Sequence, residues 1–117
     1  MLMPTLYGIN NCDTVKKARR WLETHGVEYR FHDVRSDGLT PALLHRWSQG
    51  LGWETLLNRR GTTWRQLPDK DKEVSSEAHA TALMLSHPTL IKRPVLEVGK
   101  TILIGFDAGR YGELLKR

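Results

Sequence analysis

The sequence contains a single cysteine, Cys12. No disulfide can close within the chain, and a thiolate metal site would have to draw its other ligands from elsewhere. A dithiol C-x-x-C mechanism is excluded too, because Val15 stands where the second cysteine would be. The histidines at 25, 32, 45, 79 and 87 have no metal-ligand spacing, and none stands out as a general base. No metal site is therefore expected. Long apolar runs are also lacking. Nothing approaches the roughly 20 residues of a membrane helix. Residues 1–9 have neither a basic n-region nor a long apolar h-region, so no secretory signal is expected. Internal repeats and low-complexity segments are missing. A lone cysteine without a signal suits a reducing, cytoplasmic compartment.

What is present is an ordinary globular composition. The 117 residues fit one domain, with 39% hydrophobic and 26% charged residues. A chain of this length hides roughly two-thirds of its unfolded surface, enough for a core without staples. Eighteen basic and 13 acidic side chains give a net charge of +5. The basic residues are dispersed: Lys16, Lys17, Arg19 and Arg20, then Arg59 and Arg60, then Lys92 and Arg93. A nucleic-acid interface would more often be a dense stripe interleaved with aromatics. The pattern argues against nucleic acid and leaves room for a small-anion pocket.

Thr5 to Ile9 reads as a short strand. Asn10, Asn11 and Asp13 supply turn and cap chemistry around Cys12. A helix is predicted over Thr14 to His25, with Val15, Ala18 and Leu22 on one face and Gly26 ending it. Tyr29 to Val34 alternates as a second strand. The block from about 40 to 88 differs in being helical. Thr40-Pro41 starts a helix with Leu43, Leu44 and Trp47 as its buried face. Trp53 to Leu57 is a short helix, and Gly50 and Gly52 shape a turn. Arg59 to Thr63 is a loop, and Asp69 to Ser76 a polar link. A helix from Ser75 to Ser86 packs through Ala78, Ala82, Leu83 and Leu85. The four tryptophans are expected in core or interface positions. Val95 to Val98, a Gly99-Lys100 turn and Thr101 to Ile104 form a hairpin. Asp107 caps a last helix that turns Tyr111, Leu114 and Leu115 inward. The order is βαβ, a helical insert, then ββα. A mixed sheet with helices on both faces satisfies it.

Cys12 falls where a strand turns into a helix. Unpaired amides and the positive helix end favour a thiolate there. Lys16 is a candidate for added positive charge. Two readings stand on the residues alone: a buried structural cysteine, and a nucleophile that attacks a disulfide and is resolved by an outside thiol. Arg60 and Arg93 lie in predicted loops, where each is either a surface residue or an anion ligand. Pro94, before a strand, is either a trans turn proline or a cis one.

The stretch from Leu6 to Ala18 (LYGINNCDTVKKA) resembles the active-site turn of the arsenate reductase (ArsC)/Spx family, in wording nearest its YffB-type branch. Trp53 to Leu57 with Asn58 to Trp64 (NRRGTTW), His87 to Pro94 (HPTLIKRP), and the strand leading to Gly105-Phe106 agree in order. The resemblance spans essentially the whole chain. It implies one thioredoxin-like α/β domain over 1–117, with the helical insertion at about 40–88. It also implies a cis Pro94 facing the cysteine. Arsenate reductases of the family use a cysteine at the position of Cys12, with three arginines around the oxyanion and glutathione or glutaredoxin as reductant. Arg93 matches one arginine. Asn58 and Gly105 stand at the other two, and Gly8 stands at the family's histidine. Arg60 falls where Spx proteins carry an arginine. Each lost guanidinium removes a charged hydrogen-bond partner worth roughly 1.5–3 kcal/mol.

The resulting expectation is a glutathione-dependent monothiol reductase with no bound cofactor. Cys12 is the nucleophile. Asn11, Thr14, Arg60, Arg93 and Pro94 surround the substrate, and glutaredoxin is a further candidate partner. The alternatives are arsenate reduction by the same thiolate, and an Spx-like regulator that binds RNA polymerase.

Overall fold

The computed structural model describes residues 3–117. Among them the elements run β1 (Thr5–Gly8), α1 (Asp13–Thr24), β2 (Arg30–Asp33), α2 (Pro41–Leu51), α3 (Trp53–Leu56), α4 (Thr62–Gln66), α5 (Glu77–Ser86), β3 (Val95–Val98), β4 (Thr101–Ile104) and α6 (Ala108–Leu115). The chain divides into two compact units. One takes the chain up to Asp37 together with Arg93–Arg117, and the other is Gly38–Lys92.

The first unit is a four-stranded mixed sheet in the order β2-β1-β3-β4. Strands β1 and β2 are parallel, joined through α1, and β3 and β4 run antiparallel to their neighbours. The registers place Phe31, Leu6, Leu96 and Leu103 in one row across all four strands. That row meets Val15, Ala18 and Leu22 of α1 and Tyr111 of α6 in one core. The apolar stripe read from α1 is fully buried. Within this unit both helices cover the same sheet face. Helix α1 stops at Gly26, whose φ of 68° favours a residue without Cβ. The Val27 amide then returns to the Leu22 carbonyl at 2.9 Å. Asp107 caps α6 by accepting from the Arg110 amide at 2.9 Å. Tyr111 is fully buried, while Leu114 and Leu115 are half-buried at the core's edge.

The second unit is helical. The Thr40 hydroxyl caps α2, and Leu44, Trp47 and Ser48 are its buried residues. Leu43 is only half-buried, and Gly50 lies inside the helix rather than in a turn. Gly52, at φ 84°, makes the break between α2 and α3. Two short elements escape sequence reading, α4, which begins at the end of the predicted 59–63 loop and runs past it, and a 3₁₀ turn at Asp69–Lys72 in the polar link. Helix α5 buries Ala80, Leu83 and Met84, whereas Ala78 and Ala82 are exposed and Leu85 is half-buried. Its sequence EAHATALMLS is apolar on several sides, so periodicity alone does not select the buried face. Of the tryptophans, Trp47 is fully buried and Trp21, Trp53 and Trp64 are half-buried.

One contact fixes how closely α1 approaches the sheet. A Cβ added to Gly8 would lie 2.7 and 2.8 Å from the two Val15 methyls. Val15 is β-branched and has little freedom to turn aside within a helix. Gly8→Ala is therefore expected to destabilise the protein by about 1–3 kcal/mol. Adding Val15→Ala should recover part of that loss, as measured by denaturant unfolding of the four members of a double-mutant cycle.

Candidate active site

The β1-to-α1 turn carries the cysteine. Residues 9–12 form a turn in which the Cys12 amide donates to the Ile9 carbonyl at 3.3 Å. Cys12 itself is the N-cap of α1, at φ −100° and ψ 124°. This placement sets its side chain over the first helical amides, which have no partner within the helix. Cys12 is half-buried and packs at the edge of the core.

Burial raises the Cys12 pKa, but the Val15 amide, the Arg93 side chain and the Thr14 amide hydrogen-bond to the sulfur and outweigh it. The positive charge of Arg93 acts in the same sense, and the net result lies below the ordinary thiol value. The cation acting on Cys12 is thus Arg93, not Lys16, which faces solvent. Thr14 contributes its backbone amide, and Asn11 is an exposed turn residue.

Arg93 reaches Cys12 because β3 lies beside β1. Tyr7 pairs with Val95, so the register continued one step sets Pro94 against Gly8. The Arg93-Pro94 bond is cis, and the buried Pro94 accepts the Gly105 amide on its carbonyl at 2.8 Å. Gly8 also pairs with Asp33. The row across the sheet at the base of the Cys12 turn therefore reads Asp33, Gly8, Pro94, Gly105.

Asp33 is the residue that sequence reasoning missed. It is only 5% exposed. Its Oδ2 accepts the Asn10 amide at 3.1 Å, and its Oδ1 accepts the amides of Arg35 at 2.8 Å and Ser36 at 3.1 Å. Burial pushes its pKa up, but the Ser36, Arg35 and Asn10 amides prevail and hold it below the usual carboxylate value. A signal was available: Asp33 follows Phe31 by two in an alternating strand, which puts an acid on the core-facing side.

Two departures from the arsenate reductase pattern have a backbone basis. At position 8 a histidine would drive its Cβ into Val15. At position 105 the backbone has φ 80°, which side-chain-bearing residues rarely adopt, so an arginine there would be strained. Asn58 and Arg60 belong to the second unit. The Asn58 Oδ1 accepts the Arg60 amide at 3.1 Å, and the Arg60 carbonyl accepts from Arg65 Nη1 at 3.3 Å. Arg60 is exposed. Among the described residues there is no cluster of side chains able to hold a metal ion. No helix among them is long and apolar enough to cross a membrane.

The model of the ArsC family matches residues 7–114. The chain belongs to the ArsC family. The solved structure of the YFFB protein is 49% identical, with a TM-score of 0.91 over 95% of this chain and 97% of that one. An arsenate reductase (ArsC) related protein from Brucella melitensis is 46% identical, with a TM-score of 0.77 over 99% and 97%. An uncharacterized protein of Haemophilus influenzae is 44% identical over 93% of this chain and 96% of its own. The global transcriptional regulator Spx 2 of Bacillus cereus is 27% identical over 98% and 88%. A glutaredoxin from Archaeoglobus fulgidus, 14% identical with a TM-score of 0.55, shares the thioredoxin-like fold. ArsC membership and the Cys12 site together support a thiol-based, reductase-like role for this protein.

Two measurements test this site. The pH profile of Cys12 alkylation should have its midpoint below that of a free thiol, about 8.5. Arg93→Met should move the midpoint upward by removing both a hydrogen bond and a positive charge. An unchanged midpoint would leave Arg93 no part in the activation. Asp33 sets a second pH dependence. Because its folded pKa is depressed, its stabilisation is complete above the unfolded value of about 3.9 and is lost as pH falls through the folded value. The urea midpoint of the wild type should exceed that of Asp33→Asn at pH 7, with the gap closing below about pH 4.

Proposed function

We propose that this ArsC-family protein is a glutathione-dependent monothiol reductase of the reducing cytoplasm. The observation that carries this reading is one half-buried cysteine whose thiolate is stabilised by two helix amides and Arg93. No second cysteine is present to resolve a disulfide internally.

The cycle needs no bound cofactor. The Cys12 thiolate attacks the glutathione sulfur of a mixed disulfide, and the substrate thiolate leaves. Cys12 then carries glutathione as a disulfide. A second glutathione thiolate attacks that glutathione sulfur, releasing oxidised glutathione and regenerating the Cys12 thiolate. The substrate gains the two electrons that the two glutathiones lose in joining. The Thr14 and Val15 amides and Arg93 stabilise Cys12 whenever it is the leaving thiolate, which favours the second step. The Asn11 turn and Pro94 flank the approach. Arg60 enters as a holder of a glutathione carboxylate through the family resemblance alone. Glutaredoxin is an alternative source of the resolving thiol.

Arsenate reduction by the same thiolate is the weaker reading. Gly8 and Gly105 stand where the family's arsenate chemistry has a histidine and an arginine, and the local packing and backbone oppose both side chains. The Spx likeness supports a second role, docking on RNA polymerase as a regulator. Such a role would lack a C-x-x-C switch in this chain.

The deciding assay follows glutathione oxidation with a glutathione mixed disulfide, and separately with arsenate, as oxidant. Wild type should turn over the mixed disulfide, and Cys12→Ser should lose at least about a hundredfold while remaining folded by circular dichroism. Undiminished activity in Cys12→Ser would sink the mechanism. Turnover of arsenate alone would move the protein to the arsenate reading. Inactivity on both, with retention of the polymerase alpha subunit, would favour the regulator.

A further inference from the structure

The helix amides stabilise Cys12 only if the turn before it stays in register with α1. That turn has little of its own to hold it. Its one internal backbone bond, Cys12 amide to Ile9 carbonyl, is long at 3.3 Å. Gly8 beneath it offers no side chain, and Asn11 is exposed. Beside the buried Ile9 side chain and the Lys16 amide on the Cys12 carbonyl, a further tie comes from the neighbouring strand. Asp33 closes β2, pairs with Gly8, and sends Oδ2 to the Asn10 amide at 3.1 Å.

The carboxylate is itself fixed. Its other oxygen takes two amides of the turn after β2, those of Arg35 and Ser36. The Asp33 amide donates to Asp37 Oδ2 at 2.9 Å, and the Asp37 amide returns to the Asp33 carbonyl at 2.8 Å. The Val34 amide donates to the Gly8 carbonyl at 2.9 Å. One buried carboxylate thus bridges two loops at the same end of the sheet. An acid of this length is required. Asparagine would still accept from Arg35 and Ser36, but would set an amide nitrogen against the Asn10 N–H. Glutamate would displace the oxygens by a methylene.

We infer that Asp33 is a positioning residue for Cys12: through the Asn10 amide it holds the turn so that the Thr14 and Val15 amides converge on the sulfur. This inference rests on reading Cys12 as the nucleophile. Asp33 spends its carboxylate on the Asn10, Arg35 and Ser36 amides rather than on Cys12. Its influence runs through the backbone, and this gives the inference a definite sign. Acting only as a negative charge, Asp33 would disfavour the thiolate, and removing it would make Cys12 more acidic. Acting as a clamp, its removal makes Cys12 less acidic.

The test is the pH profile of iodoacetamide alkylation of the full chain, for which Cys12 is the only thiol. Asp33→Asn should shift the midpoint upward and slow alkylation at pH 6 about tenfold. Asp33→Glu keeps the charge and should shift it the same way. It carries the test alone if the Asn variant does not fold. Val27→Ala, in the same core and 9% exposed, should lose stability with its midpoint unmoved. A wild-type midpoint in Asp33→Asn, a downward shift, wild-type behaviour in Asp33→Glu beside a shifted Asn variant, or an equal shift in Val27→Ala would each overturn the inference. Substrate turnover plays no part in this readout. A wild type that alkylates fast yet reduces no mixed disulfide would therefore refute the proposed reaction and leave the role of Asp33 standing.

Discussion

Cys12 is drawn into partial burial at the end of a sheet, where a charged sulfur is costly. The Val15 and Thr14 amides tip the balance together with Arg93, which adds both a hydrogen bond and a charge to Cys12. A charge-assisted hydrogen bond is roughly twice as strong as a neutral one. The two residues are far apart in the chain, and only the antiparallel pairing of β1 with β3 brings them together. Everything else in the first unit can be read as keeping that pairing and the Cys12 turn in place. The row of Phe31, Leu6, Leu96 and Leu103 holds the strands in register, and α1 and α6 seal it from one side.

The next row across the sheet has a different character. Asp33, Gly8, Pro94 and Gly105 pack little side-chain volume beneath the cysteine. Small residues there let α1 settle onto β1 until Val15 touches the Gly8 position. The same closeness shapes the chemistry. It leaves no space for a histidine under the cysteine, and the left-handed backbone at Gly105 disfavours an arginine. Among the groups that stabilise the Cys12 thiolate, Arg93 is the guanidinium.

Much of this was legible in the chain order. The Val15, Ala18 and Leu22 stripe, the Gly26 stop, the Thr40-Pro41 start and the Gly99-Lys100 turn are local signals, and each element formed within a residue or two of where they placed it. The second unit was harder. In α5 the apolar residues surround the helix, so the choice of Ala80 and Met84 over Ala78 and Ala82 was made by packing. The segments that became α4 and the 3₁₀ turn at Asp69–Lys72 are too short to carry a period.

By itself the sequence determined that there is one thiol, that it stands at a strand-to-helix turn, and that no partner cysteine or metal-ligand spacing accompanies it. Those are properties of composition and local order, and they survive any arrangement of the distant chain. Tertiary structure decided which cation faces the sulfur. Lys16 is the near neighbour in sequence, but a helix turns it to solvent, while strand pairing delivers Arg93. It also decided that an acid at the end of β2 would be buried and spent on three amides. Hydrogen bonds between segments 23 residues apart leave no periodic trace, and only the folded backbone shows that Asp33 meets Asn10.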